Sequence, residues 1–217
     1  MNLLDQRVYH VTHLRNLKGI LATDAVLAAD GLATRAAESS TAGIPVDLSS
    51  PLTRELRSSV EVGPAVEGGT ASSVSAHVPW YLSPDASVWQ ELRRGAAEPR
   101  WSAAARAAAS VDLVVLVSTV RTLVALGGFA IADGDGAATF TRFATDEGQA
   151  MRMLSRLHNT DHLFTAEVLI AGSVPFAAVQ LIGVANDPQR DRVRTMLDGA
   201  SARPKVAVYP PWFAAPE

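Results

Sequence analysis

Hydrophobic and polar positions change period several times along the 217 residues, and each change predicts an element. Arg7–Thr12, RVYHVT, alternates and is rich in β-branched residues, which predicts a strand. From His13 to Ala22 the apolar residues Leu14, Leu17, Ile20 and Leu21 recur at helical spacing. A helix is therefore expected there, with Thr12 as N-cap and His13 in the first turn. Residues 28–75 are polar, glycine-rich and weakly periodic. One helix, Pro51–Val60, interrupts them, its start marked by proline after Ser49 and Ser50. His77–Leu82 reads as a short strand, and Pro79 places it at a sheet edge or a strand start.

Downstream the pattern predicts a helix over Ser87–Arg94, a buried strand over Val111–Val117 and a short helix over Ser118–Leu126 capped by Ser118. A strand over Phe129–Ala132 runs into the turn ADGDGAA. A helix over Asp146–Leu157 and a strand over Phe164–Ala171 follow, then VQLIGVA as a strand within Val174–Ala185. The chain closes with a helix over Asp187–Leu197 and a strand over Val206–Tyr209. Strands and helices mix without a regular βαβ beat, so the expected class is α+β, in a single domain over 1–217.

Composition narrows this. The chain is 48% hydrophobic, enough for one buried core, and its formal charge of −3 points to neither nucleic acid nor membrane. Of 19 basic residues only Lys18 and Lys205 are lysine, and arginine is the better fork for phosphate and carboxylate. A GC-rich genome explains the same bias. With no cysteine there is no disulfide, thiolate nucleophile or cysteine zinc site. The N-terminus does not read as a signal peptide. The longest apolar run, near Val111–Val120, holds Asp112 and is too short to span a bilayer. The expectation is a soluble cytoplasmic protein.

Few residues carry obvious chemistry. His10 and His13 are three apart, not the i, i+4 pair of zinc hydrolases, and His158, Asp161 and His162 have no specific metal spacing, so no metal is expected. There is no phosphate-binding glycine loop and no GxSxG elbow. ADGDGAA reads as a simple turn. Glu167 is the exception: a carboxylate inside the apolar strand FTAEVLIA must be solvated, paired or functional. Pattern alone favours an outward-facing glutamate on a half-exposed strand.

Four stretches, in order, resemble the DarT family of DNA ADP-ribosyltransferase toxins. YHVTHLRNLKGIL at 9–21 is similar to the family's opening strand–helix, and GGTASSVSAHVPWYLSP at 68–84 to its "GG-T-L…DYVPFYF-P" segment. FTAEVLIAGSVPFAAVQLIGV at 164–184 resembles its strand with the catalytic glutamate, and YPPWFA at 209–214 its aromatic terminus. Three segments differ from the family pattern: AHVPWYL, PDASV and ADGDGAA.

The resemblance implies an ADP-ribosyltransferase-like fold with a central β-sheet sandwich and peripheral helices. NAD would be the co-substrate, anchored by His10, Val11 and Thr12, with His13 and Asn16 beside the pocket and Tyr81 stacking on nicotinamide or base. Glu167 would stabilise positive charge on the ribose. Arg54 or Arg57, a helical turn apart, would assist electrostatically, with Arg54 preferred and Arg57 contacting substrate. Residues 31–50 would cover NAD. Single-stranded DNA is the implied acceptor, thymine first, with Arg93, Arg94, Arg100 and Trp101 suited to a basic, stacking groove and Arg142, Arg152 and Arg156 as a second cluster. A bacterial toxin paired with a macrodomain antitoxin follows from the resemblance. Another acceptor (RNA, guanine, protein or water) and a non-catalytic NAD- or nucleic-acid-binding module stay open.

Overall fold

The computed structural model describes residues 2–38, 45–63, 71–158 and 160–215. In chain order the strands are β1 (Arg7–His13), β2 (Ala25–Leu27), β3 (Glu61–Val62), β4 (Ser72–Ser73), β5 (His77–Tyr81) and β6 (Leu113–Thr119). There follow β7 (Phe129–Ala132), β8 (Phe143–Ala144), β9 (Glu167–Ala171), β10 (Ser173–Pro175), β11 (Leu181–Val184) and β12 (Lys205–Val208). The helices are α1 (Leu17–Thr23), α2 (Ala29–Glu38), α3 (Pro51–Ser59), α4 (Ser87–Arg93), α5 (Ala103–Ala107), α6 (Val120–Val124), α7 (Glu147–Leu157) and α8 (Asp187–Met196).

Eight strands form one mixed sheet in the order β12-β11-β6-β1-β5-β9-β7-β8, with β2–β10 and β3–β4 as small separate pairs. The sheet is two halves joined at a narrow seam. β1 pairs with β6 over its whole length, Arg7↔Thr119 to His13↔Leu113, whereas it meets β5 only at Tyr9↔Tyr81. Beyond that bridge the halves diverge. β5 is therefore interior, not an edge strand, and the seam is what tolerates Pro79. In an extended strand the nitrogen and carbonyl of one residue face the same side, and the Pro79 carbonyl faces β1, where it accepts from His10 Nδ1 at 2.8 Å. The missing N–H thus falls where no ladder bond is made.

One face of the sheet carries the main core. Val8, Leu116, Trp80, Val168 and Ile170 pack there against Leu17 and Ile20 of α1, Leu123 of α6, Leu154 of α7 and Val193 of α8. The other face divides into two apolar clusters. Tyr9, Val115 and Val117 lie under Trp89, Trp101 and Phe213, while Ala130, Ala132 and Leu169 lie with Val62 and Val74. The aromatic terminus seals the first cluster: Trp212 meets Tyr9 edge-on and Phe213 meets Trp89 edge-on, both at 5.5 Å. It lies so close to β11 that a Cβ on Gly183 would stand 2.7 Å from the Trp212 ring.

Several local expectations change. The polar stretch after residue 28 contains α2, whose residues (ADGLATRAAE) include good helix formers despite a weak apolar period. Residues 39–44 of the proposed covering loop lie outside the described residues. β1 runs through His13, so Thr12 caps nothing; His13 Nδ1 instead accepts from Arg15 N–H at 3.1 Å, and α1 begins at Leu17. Thr119, not Ser118, caps α6, because Ser118 is buried and donates to Ala178 O at 2.8 Å.

Candidate active site

Sheet register draws one row of residues across the divided face: Tyr9 opposite Tyr81, Tyr81 opposite Glu167, Glu167 opposite Ala132 and Ala132 opposite Phe143. Glu167 sits in the middle of this row, between the two apolar clusters, and is 1% exposed. The outward-facing reading of this glutamate is thereby overturned. A carboxylate so deeply placed needs a partner, and α3 supplies it. Arg57 Nη1 donates to Glu167 Oε1 at 3.1 Å and Nη2 to Oε2 at 2.8 Å, a two-pronged pair.

Charge continues outward from this pair. Arg57 also lies 3.5 Å from Asp135, and Asp135 binds Arg100, which reaches Glu91 at 3.5 Å. Glu91 in turn accepts from Trp101 Nε1 at 3.0 Å. The turn ADGDGAA is thus more than a connection: its Asp135 ties together the two guanidinia. Its next residue, Gly136, passes so near the pair that a Cβ there would lie 3.0 Å from Val74 Cγ1 and 3.3 Å from Glu167 Oε2. Neither Asp135 nor Gly136 stands out in sequence.

The electrostatics follow from this packing. Burial opposes charge on Arg57, but the Glu167 carboxylate outweighs it, and the guanidinium is held charged above its ordinary range. Burial would raise the Asp135 carboxyl; the Ala137 N–H and the guanidinia of Arg100 and Arg57 win and hold it below its ordinary value. Burial, then the Glu167 charge, raises the Tyr81 phenol, which remains a neutral donor. Burial lowers His10. Because Pro79 O can only accept, the His10 proton is on Nδ1, leaving Nε2 as an acceptor for a hydroxyl. Glu167 keeps lone pairs that Arg57 does not use.

The structure separates the residues singled out from sequence. His10, on β1, and Tyr81, on β5, flank the seam, and the His10 ring leans on Trp80 at 5.4 Å. Asn16 Nδ2 donates to Thr12 Oγ1 at 3.0 Å and to Val46 O at 2.9 Å, while its Oδ1 accepts from Val46 N at 2.8 Å. That bracket ties the end of β1 to the chain after residue 45. Val11 packs with the Trp89–Trp101 cluster rather than lining the seam with a polar group. Its side chain alternates away from those of His10 and Thr12.

Among the arginines, Arg57 and not the preferred Arg54 meets Glu167. Arg54 pairs with Asp47 at 2.5 Å, with both side chains near half exposed, and lines an open groove of about 720 Å³ with Trp101 and Arg106. Arg93 and Trp101, read as DNA contacts, are committed elsewhere. The Arg93 side chain is 4% exposed, bridges Asp85 at 3.1 Å and Pro211 O at 3.2 Å, and lies over Trp89, so it clamps the aromatic terminus. Trp101 is 5% exposed. Arg94 is exposed.

A sheet opened at one seam, with a buried carboxylate–guanidinium pair beside it, a hydroxyl acceptor on β1 and a phenol donor on β5, has chemistry suited to an enzyme that stabilises positive charge on a sugar. The comparisons give that class its family. The model of the ssDNA thymidine ADP-ribosyltransferase DarT matches residues 9–214, and the chain belongs to this family. It is an NAD-dependent DNA ADP-ribosyltransferase. DNA ADP-ribosyl transferases of Mycobacterium bovis and Mycobacterium tuberculosis are 28% identical over 95% of this chain and 88% of theirs. Among solved structures, Thermus sp. 2.9 DarT with ADP-ribosylated ssDNA aligns with a TM-score of 0.74 at 20% identity, covering 96% of each chain. Thermus DarT with NAD+ aligns at 0.70 and 22% identity, covering 96% of this chain and 98% of that one. Among the described residues no helix is long and apolar enough to cross a membrane.

Proposed function

We propose that this chain transfers ADP-ribose from NAD to the thymine base of single-stranded DNA, with Glu167 and Arg57 at the reaction centre. The observation that carries this is the two-pronged Arg57–Glu167 pair at 2.8 and 3.1 Å in the middle of the row beside the seam. NAD supplies the ADP-ribosyl group and nicotinamide leaves. Glu167 faces the positive charge that builds on the ribose and accepts from one of its hydroxyls. Arg57, fixed and permanently charged, holds the carboxylate in place and offers its charge to phosphate or base; it is no general base, because Glu167 raises rather than lowers its proton affinity. His10 Nε2 accepts a ribose hydroxyl, the backbone at Val11 and Thr12 grips the nicotinamide amide, and Tyr81 stacks. His13 and Asn16 set the end of β1 and the chain that follows residue 45. Arg54, near half exposed, and exposed Arg94 are charges toward the acceptor.

The Mycobacterium relatives' description and the Thermus complex with ADP-ribosylated ssDNA support the acceptor. A macrodomain antitoxin that removes the modification is the proposed partner. In its support, the chain aligns with Thermosipho africanus DarTG in complex with ADP-ribose, TM-score 0.66 at 16% identity, covering 96% of this chain but 51% of that one. The test is mass spectrometry of a mixed-sequence single-stranded oligonucleotide incubated with protein and NAD, beside Glu167→Gln. An ADP-ribose adduct on thymine that vanishes in the variant supports the reading. Nicotinamide release with an adduct on another base, or on none, contradicts it.

A further inference from the structure

The row through Glu167 ends at Phe143 on β8, the outermost strand of the sheet. Phe143 also lines an open groove of about 630 Å³ between β8 and α7, together with Arg142, Arg152, Met153 and Arg156. Arg152 and Arg156 are one turn apart on α7 and share a face. All three arginines are exposed, and among the described residues none has a carboxylate within ion-pair distance. This sets them apart from Arg57 and Arg100, whose charges Glu167, Asp135 and Glu91 already meet.

An aromatic ring lies close to Arg142 along the chain. Phe140, two residues before Arg142, is 93% exposed, more than any other large hydrophobic residue described. One exposed ring alone is ordinary. With the three guanidinia it supplies the two parts of a single-strand site: cations that follow phosphates and a face on which a base stacks. Phe140 also belongs to the loop that carries Asp135 and Gly136, so it is linked through a few residues to the Arg57–Glu167 pair. Phe143, at the groove's near side, is two strand spacings from Glu167, about 10 Å, while α7 packs on the core face, so the groove leads from the site round the outer edge of the sheet. A protein with a charge of −3 needs such a local basic edge to attract a polyanion.

We infer that the groove between β8 and α7 is the track on which the single-stranded DNA acceptor runs away from the reaction centre. Arg142, Arg152 and Arg156 hold successive phosphates, and Phe140 stacks under a flanking base. This rests on the reading that the chain modifies single-stranded DNA.

Transfer to a thymine-containing 20-mer and NAD hydrolysis without DNA are measured for wild type, Arg152→Ala/Arg156→Ala and Phe140→Ala across a salt series. The double variant should raise KM for DNA about tenfold or more, leave KM for NAD and DNA-free hydrolysis unchanged, and reduce the salt slope by about 1.4, roughly 0.7 per phosphate contact. Phe140→Ala should raise KM for DNA several-fold with no change of slope. Unchanged KM and slope in both variants overturn the track while leaving the transfer reaction standing. A loss seen only with an RNA 20-mer of the same sequence also overturns it, in favour of an RNA surface. No DNA adduct in wild type alongside nicotinamide release overturns the acceptor reading and the track with it.

Discussion

The centre of the row through Glu167 and the outer edge of the sheet handle charge in opposite ways. At the centre, Glu167, Arg57, Asp135, Arg100 and Glu91 interlock, each group's charge met by a neighbour. At the edge, Arg142, Arg152 and Arg156 are exposed, and among the described residues none has a carboxylate within ion-pair distance. Buried charges are expensive unless paired, so the centre is rigid and its geometry is set before any ligand arrives. Exposed charges cost little and are free to meet a ligand's charge. In the proposed reaction the contrast separates chemistry from capture: the centre would orient reacting groups, while the edge would recruit a polyanion.

The contrast breaks most severely at Glu167. Glu167→Gln keeps the shape but removes the charge, and transfer should fall by roughly 10²–10³-fold or more, read from nicotinamide release at saturating NAD. Glu167→Ala should also lose about 3–5 kcal/mol of stability, because it removes the acceptor oxygens as well as the charge and leaves buried Arg57 with Asp135 alone, 3.5 Å away; urea unfolding compares the two variants. Equal stability of both would show that Arg57 finds water or another partner at no cost.

Gly136→Ala sharpens the comparison without touching a charge. The added methyl meets Val74 and Glu167 Oε2 at 3.0 and 3.3 Å, so the carboxylate must shift. The expected cost is about 1–3 kcal/mol of stability and roughly a tenfold fall in kcat, with KM for DNA unchanged. A variant with normal kcat would show that the loop yields instead.

The smallest effect is a pH dependence of stability. Burial lowers His10, His13 and His77 below the ordinary 6.5. As pH falls, the unfolded chain takes up these protons first, so their contribution is full above about pH 6.5 and is lost below it. Asp135, held low, matters only in stronger acid, as pH falls below its ordinary 3.8. Unfolding midpoints should be flat from about pH 8 to 7 and decline toward pH 5, and His77→Gln should weaken the decline.

Much of the frame was legible from periodicity. Phe129–Ala132 falls where alternation predicts it, and α7 and α8 match their apolar spacing and acidic starts to within a residue. The family could be read from the order of four weak motifs. The site was legible only in part, since alternation tells which face a residue takes and not what covers that face. Glu167 looked solvent-facing because the helix that buries it carries Arg57, 110 residues earlier in the chain. Arg54 and Arg57 share a helix face, so spacing could not choose between them; the contact with Asp47 and the contact with Glu167 do. Asp135 was hidden because a glycine-rich turn explains itself locally. Arg93 and Trp101 carried the composition of a DNA groove, yet packing spends both on holding α4 and the aromatic terminus in place.

Arg57 is the arginine of the proposed reaction centre. Nicotinamide release and DNA transfer should therefore be compared for Arg57→Lys and Arg54→Ala, each checked for folding by thermal unfolding. Lysine keeps the charge but loses the two-pronged grip on Glu167, so Arg57→Lys should lower kcat by at least about 10²-fold. Arg54→Ala should stay within a few-fold of wild type in kcat. A near-normal Arg57→Lys beside an inactive, folded Arg54→Ala would contradict the account.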